Sequence, residues 1–177
     1  MSTPAAGVAV LSAREEIRRL GWIAASVGAL TIVAAIAGAW MPELAPSGRP
    51  HPVLHGTVGE ALSIFVHNMR LLVVPLMLTA GRWTTGRTRP VGDVVLVAMV
   101  VANATTVGLA LGRNRSELLP YLPHLPLEWM ALSVTAGAWL SHRGQRATWR
   151  SLAPYVAAVL VLAALAAVLE TFAVPHA

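Results

Sequence analysis

A histidine and a carboxylate open one of the apolar segments of this sequence. His124 and Glu128 stand four residues apart in the proline-rich run 119–128, and the apolar segment that follows continues to Leu140. Ionisable groups are costly in an apolar surrounding, and those that occur there usually have a function. The residue types predict a buried ion pair or a polar path.

A second apolar stretch carries an imidazole, an amide and a guanidinium, from His67, Asn68 and Arg70. In a helix, Glu60, Ser63, His67 and Arg70 follow spacings of three and four residues and form one stripe. We expect this stripe to face the interior of a helix bundle, with Asn68 about 100° away from His67.

Helical rise places several of these polar groups at similar depths, about 5 to 14 Å from one boundary of the apolar region. An unpaired charge there costs about 2.5 to 3.5 kcal/mol, which an ion pair between Arg70 and Glu128 would offset. The alternative is that Arg70 extends to the headgroups and that Glu128 lies among them. The predicted intramembrane network comprises His67, Asn68, Arg70, Asn103, His124 and Glu128.

Composition indicates an integral membrane protein. The 177 residues are 56% hydrophobic and 12% charged, with a mean hydropathy of +0.65, which leaves too little polar surface for a soluble globule. The net charge of +5 comes from arginines beside apolar segments, so we expect no nucleic-acid binding. The absence of cysteine excludes disulfides, thiolate metal sites and catalytic thiols.

Apolar segments of about 20 residues are needed to cross a bilayer as helix. The sequence predicts an all-α, polytopic bundle with five spans, at 21–41, 61–80, 91–111, 125–140 and 152–172. They form one transmembrane domain, 21–172, between a cytoplasmic lead-in at 1–20 and an outer tail at 173–177. Interfacial belts are predicted for all six tryptophans: Trp22, Trp40, Trp83, Trp129, Trp139 and Trp149.

Arginine placement predicts the orientation. Nine arginines fall on one side of the five spans and three on the other, so the N-terminus should be cytoplasmic and the C-terminus outside. A cleaved signal peptide is the alternative for the first span, although its apolar run exceeds the usual 7 to 15 residues. The predicted location is the bacterial inner membrane.

Several of these residues also resemble a family pattern. Phe65 and Asn68 match a Phe-x-x-Asn feature, Asn103 and Gly108 an Asn-Gly-x-x-x-Gly feature, and Pro123, His124 and Glu128 a Pro-His-Gly-x-x-Glu feature. On these residues the chain resembles the stage II sporulation protein M family. Ala104 and Leu125 stand where that pattern has glycine, and Pro126 is inserted.

The resemblance implies a multi-span scaffold that, in spore formers, joins peptidoglycan-degrading partners during engulfment. We therefore expect a non-enzymatic membrane scaffold or partner-binding subunit, with the lipid bilayer, cell-wall-remodelling proteins or a second copy as partners. A small transporter or channel component with an Arg/Glu/His path is the alternative. No cofactor or metal is predicted, since His51 and His55 look like part of a solvated loop.

Overall fold

The computed structural model describes residues 5–41, 43, 56–114 and 119–173. Within these residues all regular secondary structure is helical, which confirms the predicted all-α class. Five α-helices follow one another: α1 Ala5–Trp40, α2 Val58–Ala80, α3 Arg89–Arg113, α4 Leu125–His142 and α5 Trp149–Phe172. Short 3₁₀ helices lie at Arg82–Thr84, Gly86–Thr88 and Leu119–His124. His51 and His55 lie outside the described residues.

Threonine caps fix where two of the helices begin. At α2 the hydroxyl of Thr57 accepts from the backbone N–H of Glu60 (3.2 Å), and the Glu60 carboxylate accepts from the N–H of Thr57 (2.9 Å). Thr148 and Ser151 form the equivalent pair at α5. Such caps satisfy N–H groups that have no partner inside the helix.

Among the described residues, four helices are long and apolar enough to cross a membrane: 14–40 within α1, then α2, 86–113 including α3, and α5. The protein is therefore a multi-pass membrane protein. Helix α4, which covers the predicted span 125–140, is not among the four. Its 18 residues include nine that are buried among the other helices, so a strongly apolar outer surface is not required of it.

Helices α1 and α3 pack closely along their length because glycines remove side chains from their contact. A Cβ atom added at Gly112 would lie 2.1 Å from the carbonyl oxygen of Ala35, and one at Gly108 would lie 2.4 Å from that of Thr31. On the other side of α4, helix α2 packs against α5. Helices α2 and α3 scarcely touch each other, which leaves a gap between them.

The connections alternate between two ends of the bundle. Segments 81–88 and 143–148 meet at one end, where the Thr84 hydroxyl donates to the carbonyl of Gln145 (2.7 Å) and the N–H of Gly144 donates to the carbonyl of Thr84 (2.8 Å). We call this the connection end. The 3₁₀ turn before α4 and the C-terminus of α5 lie at the opposite end.

The buried face of α2 is not the predicted one. Ser63, His67 and Arg70 are exposed, whereas the bundle covers Leu72, Pro75, Leu76 and Thr79. Both sets follow helical spacing, so the prediction that the stripe containing Arg70 faces inward is wrong. The apolar set is the one whose burial is favourable.

One tryptophan lies inside the bundle rather than at a boundary. Trp139 is buried, with its indole N–H donating to Asp93 Oδ1 at 2.9 Å. Gly92 leaves the space for its ring, because a Cβ there would lie 2.1 Å from Trp139 Cη2. Trp139 thus faces other helices of the bundle, while Trp22, Trp40 and Trp149 are well exposed.

Candidate functional site

A cavity of about 680 Å³ occupies the gap between α2 and α3. Helices α4 and α5 also contribute to its walls, which are mainly leucine, valine and alanine. Its polar lining consists of His67, Asn68, Asn103, Thr106, His124, Glu128 and Glu170. A mostly apolar pocket with a few converging polar groups is the usual form of a ligand site.

Three ionisable side chains, one imidazole and two carboxylates, lie close together in this cavity. His124 Nε2 lies 3.9 Å from Glu128 Oε2 and 3.8 Å from Glu170 Oε2. The side chains are 9%, 25% and 15% exposed for His124, Glu128 and Glu170 respectively. Their potential ligand atoms all lie within 4.8 Å of one another. We call these three residues the His–Glu–Glu cluster.

Asn68 orients one member of the cluster. Its side-chain N–H donates to Glu128 Oε1, while the other carboxylate oxygen of Glu128 faces His124. An amide donor of this kind fixes a carboxylate without supplying a counter-charge. The other oxygen, Oε2, is thereby directed at the space that Glu128 shares with His124 and Glu170.

Two helix ends bring the cluster together. The 3₁₀ turn Leu119–His124 leads directly into α4, so His124 and Glu128 stand one turn apart at its start. Glu170 belongs to the last turn of α5. A helix N-terminus favours the negative charge of Glu128, but a C-terminus opposes that of Glu170. Glu170 is thus the member that most requires a compensating positive charge.

Five of the six residues predicted for the intramembrane network line this one cavity: His67, Asn68, Asn103, His124 and Glu128. Arg70 does not, and no ion pair joins it to Glu128. Two residues along a helix correspond to a turn of about 200°, so Arg70 points away from the face that carries Asn68. The favoured pairing of Arg70 with Glu128 is therefore replaced by the hydrogen bond from Asn68.

Sequence reasoning did not include Glu170 in the predicted network. The signal that could have found it was topological. In an antiparallel bundle, the start of the fourth span and the end of the fifth lie at the same end. Glu128 and Glu170 occupy those positions.

A second group of polar contacts ties the helices together near the connection end. Asp93 accepts from Trp139 and, at 2.7 Å, from Arg143. Glu16 of α1 accepts from the hydroxyls of Ser141, at 2.9 Å, and Tyr155. These bonds join α1 to α4 and α5. We interpret this group as structural.

Four of the seven family-pattern residues line the cavity. They are Asn68, Asn103, His124 and Glu128, while Phe65 packs against the core. The other two occupy the contact of α3 with α1 (Gly108) and the turn before α4 (Pro123).

No family model, no curated protein and no solved structure matches this chain. The resemblance to the stage II sporulation protein M family consequently stays a prediction, and function has to be argued from the cavity.

Proposed function

We propose that this protein is a small membrane transporter or channel component that takes a cation into the intramembrane cavity. The observation that carries the proposal is the His–Glu–Glu cluster on the wall of a cavity of about 680 Å³. The cluster has two acidic groups and one weak base, so it attracts positive charge. Ionisable groups inside membrane bundles commonly mark ion or proton pathways.

Five membrane crossings follow if α4 traverses the bilayer inside the bundle. The contact between segments 81–88 and 143–148 supports this topology, because α3 leaves the connection end and α4 returns to it. The more arginine-rich loops lie at that end, so the connection end is cytoplasmic by the positive-inside rule. The proposed location is the bacterial inner membrane.

Flux measurements in reconstituted vesicles test the transport proposal. Vesicles that contain the purified full chain should take up protons or metal cations faster than empty vesicles. Glu128→Gln and Glu170→Gln should each slow the flux by at least about tenfold, as expected when a charged site on the path is neutralised. Glu15→Gln removes an exposed carboxylate from α1 and serves as the control. Equal flux with all variants would contradict the proposal.

A non-enzymatic scaffold is the second candidate function, and the placement of the family-pattern residues favours it. Four of them share one cavity and Gly108 seats α3 on α1, as expected if the pattern preserves a particular bundle. Its partners would be cell-wall-remodelling proteins in the membrane, or a second copy of the chain. Recovery of a cell-wall hydrolase by co-purification from native membranes would support scaffolding, whereas flux without any partner would count against it.

A further inference from the structure

We propose that His124, Glu128 and Glu170 bind a divalent first-row transition-metal ion, with Asn68 orienting Glu128. This inference names the cation class for the cavity and thus deepens the transport proposal. Metal binding can nevertheless be measured on its own, in the absence of any flux.

The spacing of the three ligand atoms suits a single small ion. Imidazole nitrogen and carboxylate oxygen bind Zn²⁺ at about 2.0 to 2.2 Å, so two ligands of one tetrahedral ion lie about 3.4 Å apart. His124 Nε2 stands 3.8 and 3.9 Å from the facing oxygens of Glu170 and Glu128. Each of these two gaps closes with a movement of about half an ångström, and the two carboxylate oxygens, which lie within 4.8 Å of each other, approach by at most about 1.4 Å through side-chain rotation.

Charge balance favours a divalent ion over a protein cation. Within the described residues, His124 is the one basic side chain in ion-pair range of Glu128 and Glu170. Even when protonated, it would cancel only one of the two carboxylates. A divalent ion cancels both and leaves the imidazole neutral, which is the form that binds metals.

The donor set narrows the choice of metal. One nitrogen and carboxylate oxygens suit Zn²⁺, Mn²⁺, Fe²⁺ and Co²⁺, whereas Mg²⁺ and Ca²⁺ prefer oxygen alone. The chain has no cysteine, so a thiolate cannot make the ion effectively permanent. Three protein ligands leave a coordination position that faces the cavity, as in exchangeable and catalytic sites rather than structural ones.

Asn68 would hold a metal ligand in place without contacting the metal ion itself. It holds Glu128 Oε1, so that Oε2 remains available to the ion. Loss of such a hydrogen bond typically lowers metal affinity by about tenfold to a hundredfold. Asn68 is therefore a positioning residue, and its replacement should weaken binding without abolishing it.

Binding of Zn²⁺ and Co²⁺ to the chelator-treated full chain in detergent tests the proposal. The chain should carry no polyhistidine tag. Calorimetry should give one ion per chain, and bound Co²⁺ should show a visible d–d spectrum. His124→Gln and Glu170→Gln should lower the affinity by more than about a hundredfold, beyond the loss expected for an outer-shell partner.

Matched controls separate this site from adventitious binding by other histidines. His67→Gln changes the same residue type in the same cavity outside the cluster, and the double variant His51→Gln, His55→Gln changes two histidines that are distant in sequence from the cluster. Both should bind within twofold of the natural sequence. No saturable binding, or equal loss in these controls, would overturn the proposal.

The cluster variants could fail to fold, and X-ray absorption spectroscopy at the zinc edge of the Zn²⁺-loaded natural chain tests the site without them. The expected zinc shell contains one imidazole together with oxygens, and a shell with two or more imidazoles would overturn the assignment. Binding without flux would leave the metal site standing and count against transport. Proton flux without metal binding would support transport and overturn the metal site.

Discussion

Asn68 and Glu128 show how a neutral donor can hold a carboxylate inside a bundle. The amide of Asn68 satisfies one oxygen of Glu128, which lowers the cost of burial without neutralising the charge. The remaining negative charge stays available to a cation. An arginine in place of Asn68 would neutralise this charge. Because Glu128 pairs with an amide and not with Arg70, its charge can attract a cationic ligand.

Replacing Asn68 by Ala should destabilise the protein by about 1 to 3 kcal/mol, because a half-buried carboxylate loses its donor. Thermal unfolding in detergent measures this change. Asn103→Ala is the control, since Asn103 lines the same cavity without donating to Glu128. An equal loss in both variants would contradict the assigned role of Asn68.

Arg70 should be dispensable for the cluster, because its side chain is exposed on the far side of α2. Arg70→Gln should give a folded yield and a Zn²⁺ affinity within twofold of the natural sequence, measured by size-exclusion chromatography and calorimetry. The double variant Arg70→Glu, Glu128→Arg exchanges the two charges. Its folded yield and Zn²⁺ affinity should be no higher than those of Glu128→Arg alone. A higher value in the double variant would indicate that Arg70 and Glu128 form the ion pair that the sequence suggested.

At the scale of elements, glycines decide which helices can come close. Gly108 and Gly112 of α3 face backbone atoms of α1, where even a methyl group has no space. A displaced backbone cannot relax as a side chain can, so the contact tolerates no added volume. The close pairing of α1 with α3 leaves α2 to pack elsewhere and so contributes to the gap that forms the cavity.

Gly112→Ala should destabilise the bundle by at least about 1 to 3 kcal/mol through overpacking. Gly21→Ala is the matched control, because a Cβ at Gly21 would meet nothing within 4 Å. Alanine there should leave stability unchanged or raise it by up to about 1 kcal/mol, from the helix propensities alone. Thermal unfolding of the two variants side by side would refute this packing if Gly112→Ala proved neutral.

Helix positions were predictable from the sequence, but helix faces were not. The predicted span 61–80 lies within α2, which begins at Val58 under its Thr57 cap, and 152–172 similarly lies within α5. Apolar length fixes such segments locally. Which stripe of α2 is covered depends on partners distant in sequence, and the same dependence hid Glu170 from the predicted site.

For the whole molecule, α4 is the helix around which the others are arranged. It contacts α1, α2 and α5, and nine of its 18 residues are buried. Its buried surface includes Ser133, Thr135 and Gly137, and such small and polar residues lower its hydropathy. This explains why four helices, and not five, stand out by length and apolarity.

Single cysteines report the number of crossings, since the chain has none of its own. In intact cells a membrane-impermeant thiol reagent should label Val58→Cys, and should reach Thr85→Cys and Gln145→Cys only after lysis. The 81–88 and 143–148 connections touch each other, so the last two must behave alike. Labelling of Gln145→Cys together with Val58→Cys would show that α4 does not cross.

The 36 residues of α1 make a rod about 54 Å long, against about 30 Å of hydrocarbon, so about 24 Å of it lies beyond the hydrocarbon, in the headgroup region and in water. Glu16 anchors this rod to α4 and α5 close to where it would leave the lipid. From Glu16 to its first residue, Ala5, the helix extends about 16 Å, so a tilt of about 10° at Glu16 moves that end through about 3 Å. A force applied to that end would reach α4 and α5 first through the Glu16 carboxylate and its two hydroxyl partners, Ser141 and Tyr155.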